Sequence, residues 1–259
     1  MPEAAGLKHR RITAIIFDMD NTLFDFVEAK LIACAAVIAY LKVSVEPEIL
    51  LKYFLRPVHG FESHENIRDF LHDNNRYSET TFTRCCAIYD EEKVTAIKPY
   101  PHVAETLAAL RDRGLKLGVL TDAHNGNAMK RLKKAGLEEF FDVIITMDMH
   151  GKAKPSLEPF LFAMKQLGVT ANETMLVGDS IRRDIVPAKA LGMLAVHAVY
   201  GDRNFHEGER DGADFVIRGI GEVFGVMEGF WSGSGDMRVQ ESGGRQDKCG
   251  GGRIENSEM

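Results

Sequence analysis

The sequence IIFDMDNT, residues 15–22, joins an apolar run to two aspartates, Asp18 and Asp20, that lie two positions apart. The apolar run, residues 12–17, predicts a buried strand of a parallel sheet. Ligands of open α/β sheets bind just outside the carboxyl ends of the strands, so both carboxylates are placed for chemistry on an anion held by a metal. Aspartate also follows strands in ordinary turns, so this motif has to be judged together with others.

Three further motifs follow in chain order, and two of them are again apolar strands that end in polar residues. LKLGVLTD, residues 115–122, ends in a hydroxyl and an acid. The dipeptide at 154–155, Lys-Pro, precedes a helical pattern of apolar residues. MLVGDSIRRD, residues 175–184, is a strand followed by one aspartate and, five residues later, by a second. The polar side chains of these motifs are Thr121, Asp122, Lys154, Asp179 and Asp184.

Apolar runs alternate with helical patterns from Leu115 onward, which predicts a parallel sheet with right-handed crossovers. By contrast, the interval from Phe24 to Lys98 contains helical patterns only. Strands are predicted at 12–17, 115–120, 142–146, 173–177, 193–197 and 214–217. Helices are predicted at 101–113, 125–135, 156–168, 182–191 and 219–229, and between the first two strands at 25–42, 46–55, 62–73 and 79–96. Gly114, Gly136, Gly168 and Gly192 mark helix ends, where a left-handed residue is expected.

The four motifs, in this order, resemble those of the haloacid dehalogenase superfamily of hydrolases, most of which are phosphatases. The resemblance covers about residues 11–225 and implies an α/β fold, a Rossmann-like doubly wound parallel sheet with a helical cap inserted after the first strand. The implied domains are a discontinuous core of residues 11–23 and 98–230, a cap of residues 24–97 and a tail of residues 231–259. The two core–cap connections, near residues 23–26 and 96–101, are then expected to be hinges.

The resemblance implies that the two aspartates of the first motif are the catalytic residues. Asp18 would be the nucleophile that forms an aspartyl-phosphate, which water then cleaves. Asp20 would protonate the leaving oxygen and then activate the water. In haloacid dehalogenases the residue two positions after the nucleophile is not an acid. Asp20 therefore favours a phosphatase over a dehalogenase.

The second and third motifs are implied to bind the phosphate. Thr121 would donate its hydroxyl to a phosphate oxygen, and the backbone amide near Asp122 would assist. Lys154 would neutralise the phosphate and hold the nucleophile. The nearby Lys152 is an alternative for this role, although the match to a Lys-Pro dipeptide favours Lys154.

A Mg²⁺ cofactor is also implied, because this ion prefers oxygen ligands and usually keeps several waters. Its protein ligands would be Asp18, the backbone carbonyl of Asp20, and Asp179. Asp184 is expected to act through a water or by orienting its neighbours, with direct ligation left open.

Three alternatives remain beside a phosphatase of a small phosphorylated metabolite such as phosphoglycolate, glyceraldehyde 3-phosphate or another sugar phosphate. A phosphomutase of this superfamily carries a cap histidine twelve residues after the nucleophile, where this chain has Lys30. A phosphonatase would use a cap lysine to form a Schiff base, and the cap offers Lys30, Lys42, Lys52 and Lys93. A non-catalytic phosphometabolite-binding protein would be expected to lose Asp18 or Asp20, and this chain keeps both.

Composition restricts the partners and the compartment. The net charge of −6 argues against a nucleic-acid-binding surface. The longest apolar segment, residues 31–41, is too short to cross a membrane. Four cysteines without a C-x-x-C pair fit a reducing cytoplasm. Residues 232–259 are rich in Gly and Ser and predict a disordered tail with no part in catalysis. The sequence carries no signal for an oligomeric state.

Overall fold

The computed structural model describes residues 10–203 and 212–231. The strands of these residues form one parallel sheet of six, in the order β3-β2-β1-β4-β5-β6. They are β1 (Ala14–Phe17), β2 (Lys116–Leu120), β3 (Val143–Ile145), β4 (Thr174–Gly178), β5 (Leu194–Ala198) and β6 (Phe215–Ile217). The predicted doubly wound α/β sheet is therefore confirmed, and its topological switch point lies between β1 and β4.

The central position of β1 follows from its sequence, because all four of its residues are apolar and fully buried. Side chains alternate between the two faces of a strand. Ile15 and Phe17 accordingly join the core on one face, and Ala14 and Ile16 join the core on the other. The helices that alternate with β2 to β6 along the chain are α5 (Val103–Asp112), α6 (Asn125–Ala135), α7 (Met147–His150), α8 (Glu158–Leu167), α9 (Val186–Leu191) and α10 (Val223–Trp231).

Four more helices lie in the chain between β1 and α5, and we call them the four-helix insert. They are α1 (Phe26–Leu41), α2 (Pro47–Leu55), α3 (Glu65–Asp73) and α4 (Glu79–Thr95). These helices bury an apolar cluster of their own, in which the Phe54 and Tyr89 rings stack with centroids 4.8 Å apart. Asp25 and Ser78 cap the first and last of them by accepting hydrogen bonds from backbone N–H groups.

The two connections between the sheet and the insert run side by side. Phe24 forms an isolated antiparallel bridge with Pro99, and the N–H of Tyr100 donates to the carbonyl of Leu23 at 3.0 Å. These residues are the ones in which hinges are predicted, so movement of the insert would have to bend both connections together.

The predicted helices and strands differ from those of the structure only in their bounds, by a few residues. Gly114, Gly136, Gly168 and Gly192 have positive φ at helix ends, as expected. The helix predicted at 182–191 begins with a π-helical turn, Ile181–Ile185, before α9. Within the described ranges no helix is both long and apolar enough to span a membrane. The predicted tail at 231–259 lies outside the described residues, apart from the last residue of α10.

Candidate active site

The parallel register of the sheet brings three of the predicted motifs to one edge. Phe17 is paired with Val119 of β2 and with Val177 of β4. The polar residues that follow these strands therefore leave the sheet at nearly the same height. Asp18, Thr121 and Asp179 meet there, and each is buried.

Lys154 lies in the middle of this group, on the loop before α8. Its Nζ donates to Asp18 Oδ1 at 2.5 Å, to Asp184 Oδ1 at 2.6 Å and to the carbonyl of Leu120 at 3.3 Å. Burial alone would lower the pKa of the Lys154 ammonium, but Asp18 and Asp184 outweigh burial and raise it. Lys154 is therefore a permanent cation, whereas Lys152 points outward and pairs with Glu158 at 2.8 Å.

The edge carries more negative charge than Lys154 can balance. Asp18, Asp179 and Asp184 each place one carboxylate oxygen so that the three atoms lie within 4.8 Å of one another. Burial, and then the charges of Asp18 and Asp184, raise the pKa of Asp179 to about 8. Among the described residues, Asp179 Oδ1 is buried without a hydrogen-bond partner. A buried set of oxygen donors with an unpaired oxygen fits a small divalent cation.

Asp184 differs from Asp179 because both of its oxygens are already held. Oδ1 accepts from Lys154, and Oδ2 accepts from the backbone N–H of Ser180 at 3.1 Å. The side chain fits only because residue 178 is a glycine: a Cβ there would lie 2.6 Å from the Cβ of Asp184. This arrangement suits a residue that orients Lys154.

Thr121 and Asp122, at the end of β2, have different hydrogen-bonding roles. Thr121 Oγ1 accepts the N–H of Ala123 at 3.1 Å, which leaves the hydroxyl proton free for donation. Asp122 Oδ1 accepts the backbone N–H of Lys154 at 2.9 Å. The Asp122 side chain thus anchors the lysine loop, and only its backbone remains for an anion.

Asp20 lies beyond Asp18, at the border with the four-helix insert. Its Oδ2 accepts from Nη1 of Arg131 at 2.7 Å, and its Oδ1 is buried without a partner among the described residues. Burial raises the pKa of Asp20 to about 6, against the opposing charge of Arg131. An acid with a pKa near neutrality and one free oxygen is suited to proton transfer.

Sequence reasoning missed Arg131 and two smaller contributors. Arg131, on α6, binds Asp20 with one nitrogen and Glu62 of the insert with the other. Thr22 Oγ1 donates to Asp18 Oδ2 at 3.3 Å, and the buried His197 has Nε2 3.0 Å from the carbonyl of Asp179. The one signal for Arg131 is its position on the apolar face of α6, where Ala128 and Leu132 are buried.

A doubly wound sheet with this cluster of aspartates around one lysine, at the switch point of the sheet, defines a candidate active site of an α/β enzyme. The chain belongs to the haloacid dehalogenase-like hydrolases, because the sequence model of that family matches residues 15–198. It is a hydrolase of the phosphatase type.

Two curated relatives cover most of the chain. A glyceraldehyde 3-phosphate phosphatase of Methanocaldococcus jannaschii is 34% identical over 226 residues, which are 84% of this chain and 97% of the relative. A phosphoglycolate phosphatase of Neisseria meningitidis is 30% identical and covers 85% of this chain and 94% of its own length. The crystal structure of a phosphatase of this family from Thermococcus onnurineus is 27% identical, with a TM-score of 0.60, over 84% of this chain and 99% of its own.

Proposed function

We propose that the protein is a Mg²⁺-dependent phosphatase of a small phosphorylated metabolite and works through an aspartyl-phosphate on Asp18. The observation that supports this most directly is the Lys154 ammonium held between Asp18 and Asp184, with the unpaired oxygen of Asp179 beside them. The lysine neutralises part of the repulsion between an anionic nucleophile and an anionic substrate. Two unit charges 4 Å apart interact by roughly 4 kcal/mol at an effective dielectric of 20.

Asp18, the backbone carbonyl of Asp20, and Asp179 would hold Mg²⁺, which supplies positive charge to the phosphoryl oxygens when bound. Asp18 attacks phosphorus and displaces the leaving oxygen. Thr121 donates its free hydroxyl proton to a phosphoryl oxygen, and Lys154 donates to another. Phosphoryl transfer depends mainly on positioning and on electrostatic stabilisation of spread charge, which these groups provide.

Asp20 supplies the proton for the leaving oxygen from its free Oδ1. After the alcohol departs, the same oxygen takes a proton from the water that cleaves the aspartyl-phosphate. Its pKa of about 6 lets the group hold a proton in the first half of the reaction and accept one in the second.

The substrate is proposed to be short, on the pattern of phosphoglycolate or glyceraldehyde 3-phosphate, which are named for the two relatives. Residues 24–97 are proposed to be the cap that covers it and excludes water. Phe61 and Glu62 of the cap lie against the core-facing residues Phe26 and Arg131. His59 and His64, by contrast, pair with acids of the insert, Asp69 and Asp90.

The free thiols of Cys34, Cys85 and Cys86 fit a reducing cytoplasm.

One observation favours a second candidate, a phosphonatase. Burial lowers the pKa of Lys30 to about 7, which favours the unprotonated amine that Schiff-base formation requires. Treatment with borohydride and a phosphono-aldehyde tests this function. Covalent labelling at Lys30 would establish the phosphonatase. If the protein stays unlabelled, the phosphatase is the remaining candidate function.

The phosphatase is tested by phosphate release from a panel of phosphorylated metabolites with Mg²⁺ and with EDTA. We expect metal-dependent release and a loss of about 10,000-fold in Asp18→Asn. Asp112→Asn, an exposed acid at the end of α5, is the matched control and should retain full activity. Release that survives in Asp18→Asn, or in EDTA, would contradict the proposed function.

A further inference from the structure

We propose that Arg131 is a positioning residue that couples the insert loop 56–64 to Asp20, so that Asp20 is correctly oriented only while Glu62 of this loop is seated on the core. This inference rests on the proposed role of Asp20 in proton transfer. It adds a residue of α6 and a residue of the insert loop to the machinery of the same site.

The guanidinium of Arg131 is enclosed at the border between the sheet and the insert. Its side chain is 1% exposed, although arginine is rarely buried without partners. Nη1 donates to Asp20 Oδ2 at 2.7 Å, and Nη2 donates to Glu62 Oε2. The ring of Phe26 lies 3.7 Å from the guanidinium carbon and fixes the plane of the group. Arg131 therefore bridges two acids that belong to different parts of the chain.

Residues of three helices, α1, α4 and α6, hold Glu62 and the residue before it in place. Lys93 of α4 lies 3.7 Å from Glu62 Oε2, and Asn127 of α6 donates to the same oxygen at 3.4 Å. The preceding carbonyl, that of Phe61, accepts from the buried Lys30 of α1. Burial would raise the pKa of Glu62, but Arg131, Lys93 and Lys30 hold it below its usual value. Glu62 is therefore a carboxylate that is fixed when the loop is seated.

The consequence for Asp20 follows from its two oxygens. Arg131 binds Oδ2, and this leaves Oδ1 as the oxygen available to the leaving group and to water. If the loop moved away, the buried guanidinium of Arg131 would lose Glu62 and keep only the carboxylate of Asp20 as a partner. A buried charge that loses a partner is costly, so the side chain would have to rearrange, and Asp20 with it. Proton transfer would then be efficient only with the loop in place.

The test is the dependence of rate on the leaving group. Loss of a general acid costs on the order of 100-fold for an alkoxide leaving group, and far less for p-nitrophenolate, which leaves without a proton. Arg131→Met should therefore lower kcat by about 100-fold with phosphoglycolate and by only a few-fold with p-nitrophenyl phosphate. Glu62→Gln should show the same selective loss at smaller size, and Lys134→Met, on the exposed side of α6, should match the wild type with both substrates.

The double variant, Arg131→Met with Glu62→Gln, sharpens the test. Residues that act through one chain of contacts are non-additive, so the double variant should be no slower than Arg131→Met alone. Glu62→Gln changes a partly exposed side chain and keeps the question answerable if Arg131→Met fails to fold. Equal losses with both substrates, or wild-type rates in a folded Glu62→Gln, would overturn the coupling. Activity that survives in Asp18→Asn would instead overturn the proposed function itself.

Discussion

The sheet edge and the border of the four-helix insert both bury charged groups, but their charges are compensated differently. At the edge, Asp18, Asp179 and Asp184 lie around the Lys154 ammonium, and the pKa of Asp179 rises to about 8. At the border, Lys30 lies among aromatic rings and donates to a backbone carbonyl, and its pKa falls to about 7. The comparison shows that buried carboxylates outnumber the ammonium at the edge, whereas at the border burial disfavours the charged form of the buried lysine.

The largest expected effect comes from removing the Lys154 ammonium from the edge cluster. Lys154→Met leaves Asp18 and Asp184 buried without their partner, which costs about 3–5 kcal/mol of stability. Activity should fall at least about 1,000-fold, because the phosphate and the nucleophile both lose their lysine. Urea unfolding and phosphate release measure the two losses. Lys152→Met is the matched control and should keep its stability and activity. Losses as large in Lys152→Met as in Lys154→Met would contradict the assignment of Lys154 to the phosphate and the nucleophile.

The second effect tests whether the carboxylate of Asp179 helps to bind Mg²⁺ at the edge. Mg²⁺ at 100 times its Kd should stabilise the wild type by about 2.7 kcal/mol, and Asp179→Asn should lose most of this gain. In EDTA the variant should be as stable as the wild type, because asparagine resembles the protonated carboxyl that a pKa of about 8 implies near neutrality. Thermal unfolding with and without Mg²⁺ gives both comparisons. Equal stabilisation of both proteins by Mg²⁺ would remove Asp179 from the metal site.

A third effect tests how tightly the edge is packed. Gly178→Ala forces a methyl group to within 2.6 Å of Asp184 and should destabilise the protein by about 2 kcal/mol. Gly126→Ala, on α6 with open space around it, should be neutral or stabilising by about 0.5 kcal/mol. Chemical denaturation separates the two. Similar stability of both variants would show that Asp184 moves freely, contrary to its two anchoring hydrogen bonds.

The smallest effect is at the border and depends on pH. The pKa of Lys30 is about 7 in the folded chain and 10.5 in the reference state, so the unfolded chain binds more protons between these values. Stability from this group therefore rises with pH across that window. From pH 7 to pH 8, wild type should gain about 1 kcal/mol relative to Lys30→Met. A difference that stays constant between these pH values would mean that Lys30 remains fully charged.

The two regions also differ in how far the sequence predicts them. Asp18, Thr121 and Asp179 each follow an apolar strand directly, so parallel pairing alone was enough to predict that they meet. Arg131 lies 111 residues from Asp20 and 69 from Glu62, and no local pattern relates the three. Glu62 is on a loop without strand or helix periodicity, so its position depends on how the insert packs. The residues that govern the border could therefore be found only from the folded chain.

The central claim is that Asp18 carries the phosphoryl group during turnover. The most direct measurement is a rapid acid quench of the enzyme with a phosphoryl-labelled substrate and Mg²⁺, followed by mapping of the labelled peptide. The account predicts label on the peptide that contains Asp18, and none in Asp18→Asn. Label on another residue would contradict it. So would the absence of labelled enzyme when Asp20→Asn, in which dephosphorylation is slowed, turns over labelled p-nitrophenyl phosphate, whose leaving group needs no proton.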